Sequence, residues 1–327
     1  AWQGIHDENE QCQWAFLSPA FSSAAHRNTG PVTLLLFFDG PALVAVLPLQ
    51  RRRGWLGRLG LYEPVGRELA DYAGLVARNG VRINLQRALS QAGIPCLYFT
   101  HLDEQQQQYG LVGSSPRVGL RTLVHADGGE KHWELLRLQD KKLVADTERR
   151  ERKLEKEHGA IHFEMQSSDP DRVLSELIRL KNAQYVRTGK VGGPLMDSGN
   201  ANLLRDLSRS IAASCKGQLS SISVNGELVA AHFGLQSNAT LHFWFPVYDE
   251  RYSAYSPGRI LFRRILFASQ QQGINVIDRG EGDTPAKRDF ANDSHQYFKG
   301  MATSGPLGWL VGGLLRLSWK RQTLFSG

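Results

Sequence analysis

The sequence predicts an α/β protein built from two related lobes that a charged helix joins. The main indication is an internal echo between residues 34–50 and residues 220–236, which share an apolar strand, a turn ending in glycine, a second strand and a final Leu-Gln. In addition, β-rich apolar runs alternate with amphipathic segments, and a densely charged stretch separates the two copies. We therefore expect lobes at residues 1–132 and 169–327, with a connecting helix and linker at residues 133–168.

The composition is that of a globular protein with a substantial core. Hydrophobic residues make up 41% of the chain and charged residues 22%, which excludes a disordered tail, a collagen and a small disulfide-stapled scaffold. Lysine and arginine number 39 against 32 acidic residues, a net charge of +7. Such a balance suits a polyanion, an anionic membrane surface or a phosphate-rich ligand, and it equally suits an ordinary solvated surface.

Cysteine and histidine give no sign of a metal site or a disulfide framework. Cys12, Cys96 and Cys215 lie far apart and form no CxxC pair, and the ten histidines include no HExxH motif. No charged segment followed by an apolar stretch marks the N-terminus, so a reducing, cytoplasmic location fits best. The longest apolar stretch, residues 306–317, is too short to span a bilayer and contains Arg316.

The first lobe is expected to contain a β-hairpin near its start. Apolar, β-rich runs at residues 32–38 and 42–49 flank Asp39 and Gly40. Because Asp-Gly supplies the positive φ angles of a tight turn, this arrangement is a strong hairpin signal.

Two helices are expected in the middle of the chain. Residues 133–158 are helical in composition and carry opposite charges four residues apart, such as Glu148 and Arg152. We expect this helix to be exposed and to join the lobes. Asp169 and Pro170 suit the cap and the first turn of a second helix.

The segment after the second hairpin predicts a strand, a helix and another strand. Residues 240–248 are aromatic and β-prone. Ser256 and Pro257 suit the cap and first position of a helix that ends at Gly273. Residues 274–278 then return as a short buried strand.

This order of elements predicts an anion site at the start of the helix. The first amides, from Pro257 to Ile260, lack partners within the helix, and the helix dipole favours negative charge there. Gly258 lets a ligand approach the backbone, and Arg259 is placed to pair with a second phosphate. A capped helix without a ligand explains the same pattern.

The loop that follows carries a family resemblance. It is polar and punctuated by glycine, and it lies at the carboxyl end of a strand, where open α/β sheets bind ligands. With the preceding segment it resembles the CelD-like, FemAB-related subgroup of the GNAT acyltransferase superfamily, whose members are encoded with polysaccharide biosynthesis. The family pattern is a Gly-turn hairpin, a strand with Tyr or Trp, a Ser-Pro-Gly helix start and an Asp-x-x-x-Gly-Asp-x-x-Tyr-Lys loop. Here these elements are residues 224–232, Phe243-Trp244, residues 256–261 and residues 278–287, with Ala286 in place of the family's Tyr.

The resemblance implies two GNAT-like lobes, with mixed, mostly antiparallel sheets flanked by helices, in a FemAB-like tandem arrangement. It implies that the C-terminal lobe binds acetyl-CoA or another acyl-CoA, with the pyrophosphate on the amides of residues 257–260. The implied reaction is direct acyl transfer to an amine of an amino-sugar or another precursor of a surface polysaccharide, with donor and acceptor held together by the enzyme.

Several residues are candidates for this chemistry. Asp278 is the first candidate base, because we expect it to end a buried strand and to face the cleft. His232 and His242 are alternatives whose plainer role is packing, and Tyr248 is a candidate to protonate the leaving thiolate. The candidates for contact with the acceptor are Trp244, Glu281, Asp283 and Lys287.

Two other functions fit the sequence less well. A FemAB-like transferase that uses aminoacyl-tRNA would profit from a basic surface, but residues 133–158 carry nearly as many acids as bases. A catalytically silent scaffold of a polysaccharide complex is the other, and Ala286 in place of the family's Tyr keeps it open.

The C-terminal segment, residues 307–321, mixes apolar residues with a basic end. It predicts either packing against the N-terminal lobe or contact with a membrane interface. The second would make the protein peripheral at the inner face of a membrane and would suit a lipid-linked sugar acceptor.

Overall fold

A computed structural model describes residues 1–189 and 192–324, and the side chains of the last helix up to residue 318. The elements of the first part of the chain are α1 (Trp2–Glu8), α2 (Pro19–Thr29), β1 (Val32–Asp39), β2 (Ala42–Arg51), α3 (Trp55–Arg58), β3 (Leu61–Pro64), β4 (Val76–Ala77), α4 (Leu85–Gln91), β5 (Cys96–Asp103) and β6 (Ser114–Leu123).

The elements of the second part are α5 (Gly129–Gln139), α6 (Lys141–His158), β7 (Ile161–Glu164), α7 (Pro170–Arg187), α8 (Ser198–Ser208), β8 (Ile211–Ala212), β9 (Cys215–Val224), β10 (Glu227–Ser237), β11 (Thr240–Tyr248), α9 (Pro257–Ala268), β12 (Val276–Glu281), α10 (Pro285–Arg288), β13 (Asp293–Thr303) and α11 (Gly305–Leu324).

The chain divides into two compact units. The first comprises residues 1–118 and the segment from His295 onward, and the second comprises residues 119–294. The sequence-based limits at residues 132–133 and 168–169 differ from this division. The reason is that α6 packs within the second unit, while β13 pairs with β5 in the first.

The sheet of the first unit begins with the predicted hairpin. β1 and β2 pair antiparallel around the Asp39-Gly40 turn, and Gly40 has a φ of +55°. β2 continues to β3 and β4, β3 runs parallel to β5, and β5 pairs antiparallel with β13. The core of this unit contains Ile5, Leu47, Leu75 and Leu97.

The sheet of the second unit has the strand order β6, β12, β11, β10, β9 and β7, with β8 beside β9. β11 and β12 are parallel, and the other pairs are antiparallel. β9 and β10 form the second predicted hairpin. Each unit therefore contains a hairpin, a strand and a connection through a helix to a parallel neighbour, which confirms the predicted α/β fold of two related, mostly antiparallel lobes.

The predicted connecting helix is two helices that belong to the core of the second unit. Asp140 separates α5 from α6 and caps α6, because its carboxylate accepts the Leu143 amide at 2.8 Å. α6 is not an exposed connector, since Leu143 and Leu154 are buried against the sheet and α9. Glu151, only 4% exposed, accepts hydrogen bonds from two arginines of α9, Arg263 and Arg264. Charged residues that the sequence pattern predicts to be solvent-exposed thus form ion pairs with another helix.

α7 and α9 begin at the predicted residues, and the carboxylate of Asp169 caps α7. Gly273 has the left-handed φ of +64° expected of a residue that ends the helical segment. The strand that follows begins at Val276, two residues later than expected. Asp278 therefore lies inside β12 rather than at its end.

α11 shows the predicted packing of the C-terminal segment on one of its faces. Val311 and Leu315 are fully buried against Leu56, Leu61 and Cys96 of the first unit. Among the described residues, no helix combines the length and the apolarity that crossing a bilayer requires.

Candidate functional site

A cavity of about 620 Å³ opens in the second unit where two parallel strands separate. β11 and β12 pair only from Thr240 to His242 and from Val276 to Asp278, although β11 continues to Tyr248. Backbone groups of β11 beyond His242 that point away from β10 therefore have no strand partner on that side. The cavity is lined by Phe243, Pro246, Val247 and Tyr248 of β11, by Ser256, Gly258, Arg259 and Leu261, by Arg150, Lys181 and Gln184, and by Arg279, Pro285, Ala286, Asp289 and Phe290.

The start of α9 faces this cavity, but it offers fewer amides than the sequence predicts. Ser256 has a left-handed φ of +51°, and its side chain forms no capping hydrogen bond. Pro257 has no N–H, and the amides of Arg259 and Ile260 donate to the Ser256 carbonyl at 2.9 and 3.4 Å. The Gly258 amide remains without a partner inside the helix. A side-chain carbon on Gly258 would meet no atom within 4 Å, so the backbone is open to approach at this residue.

Arg259 is already paired. Its Nε and one terminal nitrogen contact the Asp289 carboxylate at 3.0 and 2.8 Å, and its other terminal nitrogen lies 3.5 Å from Asp146. Both contacts with Asp289 are charge-assisted, and both go to one oxygen, Oδ2. Arg259 therefore offers a ligand phosphate only the N–H groups that these two carboxylates leave free.

Arg279 forms part of the cavity wall and was missed by the sequence analysis. Its guanidinium lies 4.6 Å from the ring centre of Phe262 and 5.6 Å from that of Phe243, so aromatic faces hold it. Its terminal nitrogens donate to the carbonyls of Lys287 and Ala286 at 3.3 and 3.1 Å. Burial lowers the pKa of Arg279 to about 10, which leaves it charged at neutral pH. Its buried Nε has no hydrogen-bond partner among the described residues.

Positively charged side chains outnumber negatively charged ones in the cavity lining. Arg150 and Lys181 join Arg259 and Arg279 in its lining, against one carboxylate, Asp289, among the lining residues described. Lys181 donates to the Pro246 carbonyl at 2.9 Å and so ties α7 to β11. An open amide at a helix start inside a cationic cavity suits an anionic ligand such as a phosphate ester.

Asp278 is close to His242, and both lie outside the cavity lining. His242 Nδ1 is 2.9 Å from Asp278 Oδ2, and Asp278 Oδ1 accepts the Gly280 amide at 3.0 Å. Their exposed fractions are 3% and 0%. The expectation that Asp278 faces the cleft is wrong, because alternate strand residues point to opposite faces and Arg279 takes the cavity side. Its role as the base stays a prediction, now as half of a buried pair.

His232 is fully buried and stacks on the cavity residue Phe243, with ring centres 4.0 Å apart. Neither ring nitrogen has a hydrogen-bond partner among the described residues. Burial lowers the pKa of His232 to about 3, with a further contribution from His242. The ring is thus neutral at physiological pH and a weak proton acceptor, and its catalytic role stays a prediction.

The remaining predicted residues divide between the cavity and its surroundings. Tyr248 lines the cavity, as do Ser256, Gly258 and Arg259. Ile260 is a fully buried core residue, and Pro257 is buried beside it. Four others lie outside the lining. Trp244 contacts Phe233 and Phe245, Lys287 Nζ donates to the Glu281 carbonyl at 2.5 Å, and Asp283 pairs with Arg288 at 3.0 Å.

Most of this site lies in a part of the chain that has known relatives. Residues 141–288 match the family model of the acetyltransferase (GNAT) domain. The matched segment includes β11, α9 and β12, the three elements that form the cavity. Among curated protein sequences, none matches the chain.

Solved structures with this fold cover nearly the whole chain. A conserved protein of unknown function from Bacteroides thetaiotaomicron is 11% identical, with a TM-score of 0.57 over 92% of this chain and 96% of that one. FemX is 10% identical, with a TM-score of 0.57 over 85% and 90%. The C-terminal domain of a putative lysylphosphatidylglycerol synthetase from Agrobacterium fabrum is 9% identical, with a TM-score of 0.53 over 95% and 96%. At such identities these likenesses show the fold alone.

Proposed function

We propose that the protein is an N-acyltransferase that moves an acyl group from acyl-CoA to an amine, and that the amine belongs to an amino-sugar or another precursor of a cell-surface polysaccharide. The observation that carries this proposal is the cationic cavity between β11 and β12, with the open Gly258 amide at its edge. GNAT domains generally use acyl-CoA, and the match over residues 141–288 supports that donor.

The lining residues have distinct tasks in this proposal. The Gly258 amide and the charge of Arg279 hold the phosphates of the donor. The unpaired backbone edge of β11 hydrogen-bonds the amide groups of the pantetheine arm and provides an N–H for the carbonyl oxygen as it gains negative charge. Ala286 leaves space where the family has a tyrosine.

The chemical step is direct attack on a thioester. The amine nitrogen forms a bond to the acyl carbon, the carbon–sulfur bond breaks, and CoA leaves as a thiolate. The amine loses one proton, for which the buried pair of His242 and Asp278 is the proposed acceptor; because neither side chain lines the cavity, the proton reaches the pair through a bridging water. The thiolate gains one proton from Tyr248, which lines the cavity.

Transfer from aminoacyl-tRNA ranks below transfer from acyl-CoA. Several basic side chains of α6 are already paired, as Arg149 and Arg150 are with Asp146 at 2.6 and 2.7 Å. A site for the phosphate backbone needs several available cations and loses affinity steeply with salt. We expect no complex with charged tRNA tighter than non-specific binding at physiological ionic strength.

The test is an acyl-transfer assay with acetyl-CoA and longer acyl-CoAs against a panel of amino-sugars, free and linked to lipid. Release of free CoA thiol is measured together with the mass of the acylated product. Transfer to an amino-sugar supports the proposal. CoA binding without transfer to any amine would favour the silent scaffold, and transfer only from charged tRNA would replace the donor.

A further inference from the structure

The helix α11 has one face that is fixed to the first unit. Val311 and Leu315 are fully buried there. Gly308 and Gly312 allow the close approach, because a side-chain carbon on Gly308 would lie 2.1 Å from the Pro95 carbonyl oxygen, and one on Gly312 would lie 3.0 Å from Met301. The helix is therefore held with a defined side toward the protein.

The opposite face of α11 is apolar and uncovered. Trp309 is 72% exposed, Leu317 59%, Leu310 56% and Leu307 46%. At about 100° per residue, Trp309, Leu310 and Leu317 fall within one arc of the helix surface opposite Val311 and Leu315, and Leu307 lies beside it, so they form one stripe along the helix. Trp309 also borders a depression beside Val112, which is itself 70% exposed. A large exposed apolar surface of this kind marks an interaction site.

Basic side chains lie beside this stripe. Arg316 is exposed on α11 itself, and Arg82 lines the depression beside Trp309. Residues 72–102, the segment that contains Arg82, hold three arginines and no Asp or Glu. A second copy of this surface would meet like charge, whereas anionic lipid headgroups would meet opposite charge.

We propose that α11 binds the surface of an anionic membrane and lies in its plane. Trp309, Leu310 and Leu317 enter the boundary between headgroups and acyl chains, where tryptophan is favoured. Arg316 and Arg82 contact lipid phosphates. This inference stands independently of the acyl-transfer proposal, because vesicle binding is measured without substrate.

The experiment is co-sedimentation of the full chain with vesicles of phosphatidylcholine alone and of phosphatidylcholine with phosphatidylglycerol. We expect binding to the anionic vesicles that weakens as salt is raised. The double substitution Trp309→Ala with Leu310→Ser should lower the partition coefficient by on the order of tenfold or more. Arg316→Gln should lower it by about fivefold on anionic vesicles only.

The control removes as much exposed apolar side chain from the second unit, by Leu138→Ser with Ile211→Ser, at positions that are 83% and 92% exposed. This control should bind vesicles like the wild type, and all variants should keep its melting temperature. Absence of wild-type binding to anionic vesicles, or equal binding by the Trp309/Leu310 variant, would overturn the proposal. If light scattering showed a wild-type dimer and a monomeric Trp309/Leu310 variant, the face would be assigned to a second copy instead.

Discussion

At the scale of single residues, the second unit holds two buried histidines in different chemical situations. His242 has a carboxylate partner in Asp278, which can orient its ring and stabilise a proton on it. His232 has aromatic packing and no polar partner among the described residues. Of the two, His242 is the better placed to take part in proton transfer.

The burial of His232 predicts how the free energy of unfolding depends on pH. Its native pKa of about 3 is below the ordinary value of 6.5, so between these pH values the unfolded chain binds a proton that the native state does not. Stability is therefore lost as pH falls below 6.5. Compared with His232→Phe, the free energy of unfolding of the wild type should drop by about 1.4 kcal/mol per pH unit in this window.

Urea unfolding of both proteins between pH 7 and pH 5 measures this difference. Parallel pH dependences for wild type and variant would mean that native His232 accepts its proton as readily as the unfolded chain does.

Asp278→Asn tests the buried pair. Asparagine keeps the shape and an oxygen for the Gly280 amide, but it removes the negative charge beside His242. If the pair accepts the proton of the amine, turnover should fall by about a hundredfold to ten-thousandfold. CoA affinity should not change, because Asp278 lies outside the cavity lining.

The matched control is Asp171→Asn, a carboxylate that is 72% exposed and paired with Arg209, which should leave turnover near that of the wild type. Wild-type turnover in the Asp278 variant would remove this residue from the mechanism.

At the scale of elements, local sequence signals predict the turns and the helix starts. Contacts between elements that are distant in sequence are known only from the structure. The Asp39-Gly40 turn and the Asp169 cap are formed by neighbours in sequence, so a few residues specify them. The face of β12 that carries Asp278 is different. Strand alternation gives two faces, and only packing against α9 decides which one meets the cavity.

The two lobes share a second internal echo, at the residues that follow α4 and α9. Gly93 and Gly273 each end a helical segment with a φ of +64° and precede an isoleucine. The amides of Ile94 and Ile274 donate to carbonyls five residues earlier, each at 2.9 Å. Both segments lead into the second strand of a parallel pair. This match extends the likeness of the two lobes beyond their hairpins.

The ion pairs between α6 and α9 predict a large effect of one substitution on the free energy of unfolding. The Glu151 side chain is 5% exposed and accepts from Arg263 and Arg264. Glu151→Ala would leave partly buried guanidinium groups without this carboxylate, which should cost about 3 to 5 kcal/mol of the free energy of unfolding.

Glu176→Ala is the control for this substitution. Glu176 forms an exposed pair with Arg179 within α7, and its loss should cost less than about 1 kcal/mol. Urea unfolding compares the two variants. Equal costs would show that α6 does not depend on its ion pairs with α9.

At the scale of the whole molecule, our proposals assign roles to positive charge at two sites. In the second unit, arginine and lysine line a cavity where the donor phosphates would bind. In the first unit, the segments around α11 carry basic residues and an uncovered apolar stripe. The net charge alone predicts neither place, because the same total is compatible with an ordinary solvated surface.

Calorimetric titration of CoA into the purified protein tests the central claim most directly. The wild type should bind CoA and acetyl-CoA, and Gly258→Val should weaken binding by about tenfold to a hundredfold, because its side chain would block the one open amide of α9. Gly313→Val is the matched control, since Gly313 is also a helix residue with no atom within 4 Å of a new side-chain carbon. It should bind like the wild type. Well-folded wild type that gives no heat with either ligand, or equal affinity in the Gly258 variant, would contradict the assignment of the cavity to acyl-CoA.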